Sequence, residues 1–423
     1  MALLIHNLAG VFTGAGFIRK QGRRPTAEDC GFIRGPVDIL CNDQGRIDGI
    51  ERSLQTPLEV ERINGTGLFA TAGFVDSHTH ALFAGNRSEE FFRRWRGASY
   101  AEQAAAGGGI HSTVRATQQA TDEQLCAALA KVLAESLRAG CTTLEIKSGY
   151  ADSAAGEIRL LELIHRVARY VLTPRVSATF LGLHALPQGR RENDYCDEMI
   201  VALPQVAGGK LATHVDSFPE KGFFSLAESL RFSRAAIANG LAVKVHADEL
   251  TPLGSSEAFI QIGARSVDHL QQISPVAVEL LASSPTIATL LPCTSFFLSQ
   301  GYADARNLID RGAQVALASD YNPGTSPTLG LQLTLLLAAN SLKMTAAEIL
   351  CAVTYNGAAA VGMESGLGAL LPKYQADILL WQTESHNGNA HGVGVFEEII
   401  TRSLSPAAVV VEGRLLSSTP VFQ

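Results

Sequence analysis

Along the first 66 residues, apolar positions gather in short runs at 3–5, 37–40, 46–50 and 58–63, punctuated by Gly, Asp and Asn. Asn42-Asp43-Gln44-Gly45 is a turn sequence, and no helical period runs between these segments, so a small β region is expected. From Leu68 the texture changes. Eight apolar runs, at 68–78, 142–147, 176–181, 211–216, 242–246, 265–268, 286–291 and 314–318, alternate with amphipathic segments such as 121–139, 155–170, 224–239 and 275–281. Strand-length runs separated by helix-period segments read as β–α units. Thr121-x-x-Gln124 has the form of a capping box at a helix start. Strand-like runs return at 376–381, 407–411 and 414–416.

Eight β–α units are the count of a TIM barrel, whose active site lies at the C-terminal ends of its strands. The expected fold is therefore α/β: a (β/α)8 TIM-like barrel over 67–356, closed off by a small β-sandwich domain formed by both chain termini, 1–66 and 357–423.

Composition narrows the class. Of the 423 residues, 46% are hydrophobic and 18% charged, which permits a large core and does not indicate disorder. A net charge of −7 argues against a nucleic-acid binder, which would carry a basic surplus. The seven cysteines are scattered without a Cys-x-x-Cys pair, so they suit a reducing cytosol and offer no thiolate metal site. The apolar N-terminus lacks a basic lead and a cleavage site, and no run is long enough to span a membrane. A soluble, cytoplasmic protein is expected. The glycine-rich stretch 104–109 reads as a flexible loop near the active-site face, since its spacing fits neither a P-loop nor a Rossmann fingerprint.

The chemistry collects at the ends of the apolar runs. His78 and His80 close the first, and side chains at i and i+2 of a strand leave the same face, so both can converge on one point. Two neutral imidazoles at a strand end are half of a zinc or iron site. His246 closes the fifth run and Asp320 follows the eighth, completing three imidazoles and a carboxylate with room for a water. Alone, His246 reads as a satisfied core histidine and Asp320 as a cap ahead of Asn322-Pro323-Gly324; together the four read as a site. Asp320 could also take a proton from the water. Glu249 is a hydrogen-bond acceptor or proton shuttle on the next loop. His269 could polarise a carbonyl, stabilise an oxyanion, or orient the ligands. Arg87, in the first β–α loop, is the candidate anchor for a substrate carboxylate. Tyr150 and His184 follow the second and third runs and could hydrogen-bond a ligand. The fourth run, Leu211-Ala212-Thr213-His214-Val215-Asp216, has no lysine to bridge two metals, so a single ion is favoured; His214 and Asp216 read as structural, and Lys147 lies on the wrong strand for that role.

Gly73-Phe74-Val75-Asp76-Ser77-His78-Thr79-His80, Val243-Lys244-Val245-His246-Ala247-Asp248-Glu249 and Ser319-Asp320-Tyr321-Asn322-Pro323-Gly324-Thr325 resemble the amidohydrolase superfamily of metal-dependent hydrolases. With Phe83-Ala84-Gly85-Asn86-Arg87, Glu145-Ile146-Lys147-Ser148-Gly149-Tyr150, Thr179-Phe180-Leu181-Gly182-Leu183-His184-Ala185 and Asp268-His269-Leu270, the chain is similar to the imidazolonepropionase family within it. The resemblance implies hydrolysis of the ring amide C–N bond of 4-imidazolone-5-propanoate to N-formimidoyl-L-glutamate, in histidine degradation. It implies one Zn2+ or Fe3+ ion on His78, His80, His246 and Asp320. It places Arg87, Tyr150, His184, Glu249, Asn322, Gly324 and Thr325 around the substrate, and Glu249, His269 and Asp320 in the chemistry. It also implies a homodimer. The chain departs from the family pattern at Pro219, where a cysteine is usual, at Cys293, where a glycine is usual, and at His214. The residues alone leave open two rivals: another mononuclear hydrolase, such as a cyclic-amidine deaminase or small-lactam hydrolase, and a non-catalytic barrel scaffold.

Overall fold

The structure, a computed structural model, describes residues 2–55, 59–97, 108–170, 173–384 and 391–418. Positions 104–107 of the glycine-rich stretch and position 58 of the fourth apolar run lie outside these residues.

The chain first forms β1 (Ala2–Phe12), β2 (Phe32–Cys41), β3 (Ile47–Glu51), β4 (Val60–Asn64) and β5 (Leu68–Ala72). The barrel strands follow as β6 (Phe74–Asp76), β7 (Cys141–Lys147), β8 (Arg175–Leu183), β9 (His214–Ser217), β10 (Ala242–Ala247), β11 (Ser266–His269), β12 (Ile287–Leu290) and β13 (Gln314–Leu317). These lie side by side in chain order and pair in parallel, each returned to the sheet through helix, as the eight-unit pattern predicts. The tail adds β14 (Ile378–Gln382), β15 (Ala408–Val411) and β16 (Arg414–Ser418). Strands from both chain ends make one mixed sheet in the order β16-β15-β14-β5-β1-β2-β3, with β4 beside β1. Among the described residues, no helix is long and apolar enough to cross a membrane.

The run 68–78 does not form a single barrel strand. Residues 68–72 pair with β14 and β1 in the terminal sheet, and residues 74–76 pair with β7 in the barrel. The break falls at Gly73, where an added Cβ would lie 2.0 Å from Thr142 Oγ1. Both sheets bury their share of the run, so its hydrophobicity carries no mark of the division. A second difference is the helical turn Ala15–Arg19 and the 3-10 turn Ala27–Cys30 in the N-terminal segment. Elements this short show no period. Arg23, between them, donates to the carbonyls of Ala282 and Ser284 at 2.8 and 2.6 Å, tying this segment to the barrel.

The helix Asp122–Arg138 starts as expected, with Gln124 N–H donating to Thr121 Oγ1 at 3.3 Å and Thr121 N–H to Gln124 Oε1 at 2.9 Å. Its buried Leu125, Leu129 and Leu133 recur every fourth position and face the barrel wall. Trp381 of β14 packs on Phe74 of β6 with ring centroids 5.6 Å apart, and its Nε1 donates to Thr71 Oγ1 at 2.9 Å. The barrel is closed just beyond its strands. Asp320 N–H donates to the His78 carbonyl at 3.1 Å and His80 N–H to the Tyr321 carbonyl at 2.9 Å. One residue before Asp320, Ser319 N–H and Oγ donate to the Asp76 carboxylate at 3.0 and 2.6 Å.

Candidate metal centre and substrate pocket

The seam that closes the barrel also gathers the candidate ligands. His78 Nε2 and His80 Nε2 lie 3.6 and 3.4 Å from Asp320 Oδ1, and His80 Nε2 lies 3.3 Å from His246 Nε2. The four side chains expected to hold an ion thus meet, all nearly fully buried. Asp320 and His269 both adopt positive φ, 53° and 84°, which only a well-braced backbone sustains in non-glycine residues.

Carboxylates behind the rings fix which nitrogen faces the centre. His78 Nδ1 is 2.7 Å from Asp268 Oδ2 and His246 Nδ1 is 3.2 Å from Asp216 Oδ1. Each Nδ1–H therefore donates outward, and each Nε2 turns a lone pair inward. His78 Nε2 and Asp320 Oδ1 are buried without a hydrogen-bond partner among the described residues. Inward lone pairs beside an orphaned carboxylate oxygen are the donor set of a divalent or trivalent cation, so the residues fit such an ion. Burial holds the His78 and His80 imidazoles well below the ordinary histidine range, keeping them neutral. Burial would also lower His246, but the Asp216 carboxylate outweighs it.

Beneath the centre, Lys147 Nζ pairs with Glu145 Oε1 and Asp216 Oδ2, each at 2.7 Å. Glu145 Oε2 accepts the N–H of Thr79, between the two histidines, at 3.2 Å. Burial alone would lower Lys147, yet Asp216 and Glu145 hold it above its ordinary value, as an ammonium. Lys147 is thus engaged as a cation within the barrel. Asp216, read from the sequence as structural, stands directly behind His246. Asp268 behind His78, and Thr294, whose hydroxyl donates to Asp320 Oδ2 at 2.5 Å, carry no signal of these roles in the sequence. Their partners lie far away in the chain, so no spacing could reveal them; the Val-Asp-His order at 267–269 is the nearest signal.

Above the centre opens a cavity of about 500 Å3. Its lining includes His80, Arg87, Tyr150, His184, His246, Glu249, His269, Asp320, Asn322 and Thr325. His184 stacks on His80 with ring centroids 4.9 Å apart, and its Nδ1 donates to the Gly149 carbonyl at 2.9 Å, leaving Nε2 as an acceptor. Burial lowers His184 to about 3, so it stays neutral. Tyr150 lies 5.5 Å from the His184 ring, and burial raises its phenol, which remains an O–H donor. Glu249 Oε1 is 3.7 Å from His269 Nδ1. Burial, then the nearby Asp320, pushes Glu249 up to about 8, and burial pushes Asp320 up to about 6.

Arg87 reaches the cavity while its Nη2 donates to Glu90 Oε2 at 2.8 Å. Asn322 organises the loop after β13: its Oδ1 accepts the N–H groups of Gly324 and Thr325 at 2.8 and 2.7 Å. Gly324 has no side chain to offer, but a Cβ there would lie 2.1 Å from Arg87 Nη1, so its bareness admits the guanidinium. Arg94, not anticipated, donates through Nη2 to the Gly324 carbonyl at 2.8 Å and also lines the cavity. The departures from the family pattern lie outside the candidate ligand set. His214 Nδ1 is 2.8 Å from Thr213 Oγ1, and Cys293 Sγ is 3.3 Å from Thr334 Oγ1.

The amidohydrolase family, a metal-dependent one, matches residues 69–416. The imidazolonepropionase of Caldanaerobacter subterraneus subsp. tengcongensis is 40% identical over 386 residues, covering 89% of this chain and 91% of the relative. That of Symbiobacterium thermophilum is 40% identical over 428 residues, covering 98% of each. An atrazine chlorohydrolase from Arthrobacter aurescens TC1, solved with zinc, superposes with a TM-score of 0.74 at 18% identity, covering 100% of this chain and 97% of its own, which establishes the shared fold. With matches of this extent over the barrel and both termini, the chain belongs to the amidohydrolase family, in its imidazolonepropionase branch.

Proposed function

We propose that this protein hydrolyses the ring amide C–N bond of 4-imidazolone-5-propanoate, giving N-formimidoyl-L-glutamate. The observation that carries the reading is that one cavity is lined by His80, His246 and Asp320, with His78 Nε2 3.6 Å from Asp320 Oδ1 behind them, and also by the Arg87 guanidinium. Hydrolysis of a lactam bearing a carboxylate needs both. The names of the relatives support the same activity.

One Zn2+ or Fe3+ ion would be held by His78, His80, His246 and Asp320. When bound, it acidifies water toward a pKa of about 7 and polarises the lactam carbonyl. Asp320, with Oδ2 fixed by Thr294, accepts the proton that the attacking water gives up. The water oxygen bonds to the carbonyl carbon, and His269 stabilises the oxygen on which charge develops. The C–N bond then breaks, and the ring nitrogen leaves with the proton relayed from Asp320. Glu249 hydrogen-bonds the ring N–H. Arg87 holds the propionate, while Tyr150, His184, Asn322, Gly324 and Thr325 shape the remaining contacts. The family resemblance also carries a homodimer and a cytoplasmic location into the proposal; sedimentation and cell fractionation test these.

The test is direct turnover. Metal-loaded protein is mixed with freshly generated imidazolonepropanoate, its ultraviolet absorbance is followed, and formiminoglutamate is identified by mass. Turnover that vanishes in His246→Ala is expected. A fully loaded, folded wild type without turnover rejects the substrate.

A further inference from the structure

One buried carboxylate outside this set joins two loops that line the cavity. Glu220, only 2% exposed, lies in the loop after β9. Its Oε2 accepts the N–H groups of Leu250 and Thr251 at 3.0 and 3.1 Å, and its Oε1 accepts the Thr251 hydroxyl. Its backbone closes its own loop, with Glu220 N–H donating to the Phe224 carbonyl at 3.1 Å and Phe223 N–H to the Glu220 carbonyl at 2.9 Å. Phe223 lines the cavity from this side, and Glu249 and Leu250 line it from the other.

The donors suit a carboxylate. Both oxygens of Glu220 are engaged by donors, so an amide in the same place would turn an NH2 group toward one of them. The two clamped N–H groups belong to the residues immediately after Glu249. Among the described residues Glu249 makes no close ion pair, its nearest basic partner there being His269 Nδ1 at 3.7 Å. Its place over the ring is therefore set by its backbone, and its backbone is held by Glu220.

We propose that Glu220 is a positioning residue that acts through Glu249, holding that carboxyl over the substrate ring. The inference rests on the function proposed above. A misplacement of about 1 Å at a reacting group costs on the order of 100-fold in rate, and that is the loss expected in kcat when the clamp is broken.

A double-variant cycle on the metal-loaded full chain tests it, using Glu220→Gln, Glu249→Gln and the pair, with ion content measured alongside. Glu220→Gln is expected to lower kcat with the bound ion unchanged, Glu220→Asp to recover part of the rate, and the pair to fall within about threefold of Glu249→Gln alone. Losses that multiply in the pair overturn the inference. If Glu220→Gln does not fold, Thr251→Val removes one contact of the clamp; its smaller loss is expected to vanish in the Glu249→Gln background, and multiplication there overturns the inference as well. Wild-type protein without turnover would overturn the function itself, whereas multiplying losses in an active enzyme remove only the role of Glu220.

Discussion

The amide of Asp320 donates to the carbonyl of His78 at 3.1 Å, so the residues that stitch the last barrel segment to the first also carry two of the candidate ligands. Barrel closure and ligand geometry are one arrangement. An ion shared by their side chains would brace the seam from within. A ligand that binds only the folded state stabilises by about 4 kcal/mol when present at 1,000 times its Kd. Chelation is therefore expected to lower the Tm, and added metal to raise it with concentration. Thermal unfolding at several free-metal levels checks this; a Tm indifferent to metal would dismiss the bracing.

The carboxylates behind the rings give a second expectation. Asp216→Asn and Asp268→Asn each replace the charged acceptor that orients an imidazole and raises its basicity with a neutral amide oxygen. Each is expected to weaken ion affinity about 10–100-fold, while the ligands themselves stay in place. Competition against a calibrated chelator measures it.

Arg87 and Gly324 should report on the same binding event. Arg87→Ala removes charge-assisted hydrogen bonds worth about 1.5–3 kcal/mol, so KM for imidazolonepropanoate should rise about 10–100-fold. Arg87→Lys should recover little, because an ammonium lacks the planar fork. Gly324→Ala pushes a methyl into the Arg87 position and is expected to raise KM with ion content unchanged. Steady-state kinetics with metal analysis separates these effects from damage to the centre.

Acid should attack the fold through Asp216. Burial alone would raise its pKa, but Lys147 and then His246 hold it well below the ordinary value. A folded pKa below the unfolded value of about 3.9 gives stability that is fully present above that pH and lost as pH falls through the folded value. Removing one partner of a buried pair costs about 3–5 kcal/mol. Asp216→Asn should therefore be less stable at pH 7 yet lose less on going to pH 3. Denaturant titrations at pH 7, 5, 4 and 3 provide the comparison.

Much of this was readable in the residues because it is local or periodic. Eight apolar runs separated by helical segments foretell the parallel order of β6 to β13, and ligands at strand ends follow from the fold. His78 and His80 declare themselves by their spacing. What the sequence hides is long-range or geometrically conditional. Asp268 reaches His78 across 190 residues, and Lys147 meets Asp216 only because β7 and β9 both face the barrel interior. The left-handed backbone at Asp320 and His269 is likewise fixed by surrounding packing, with no glycine to announce it.

Gly73 has a consequence for anyone who would cut this protein apart. The five residues before it are woven into the terminal sheet, and His78 follows it by five positions. The peripheral sheet is therefore no detachable cassette. A chimera that exchanged it between relatives would transplant the footing of the first histidine pair, and would have to refit the Gly73–Thr142 joint before the transplanted parts could share a working centre.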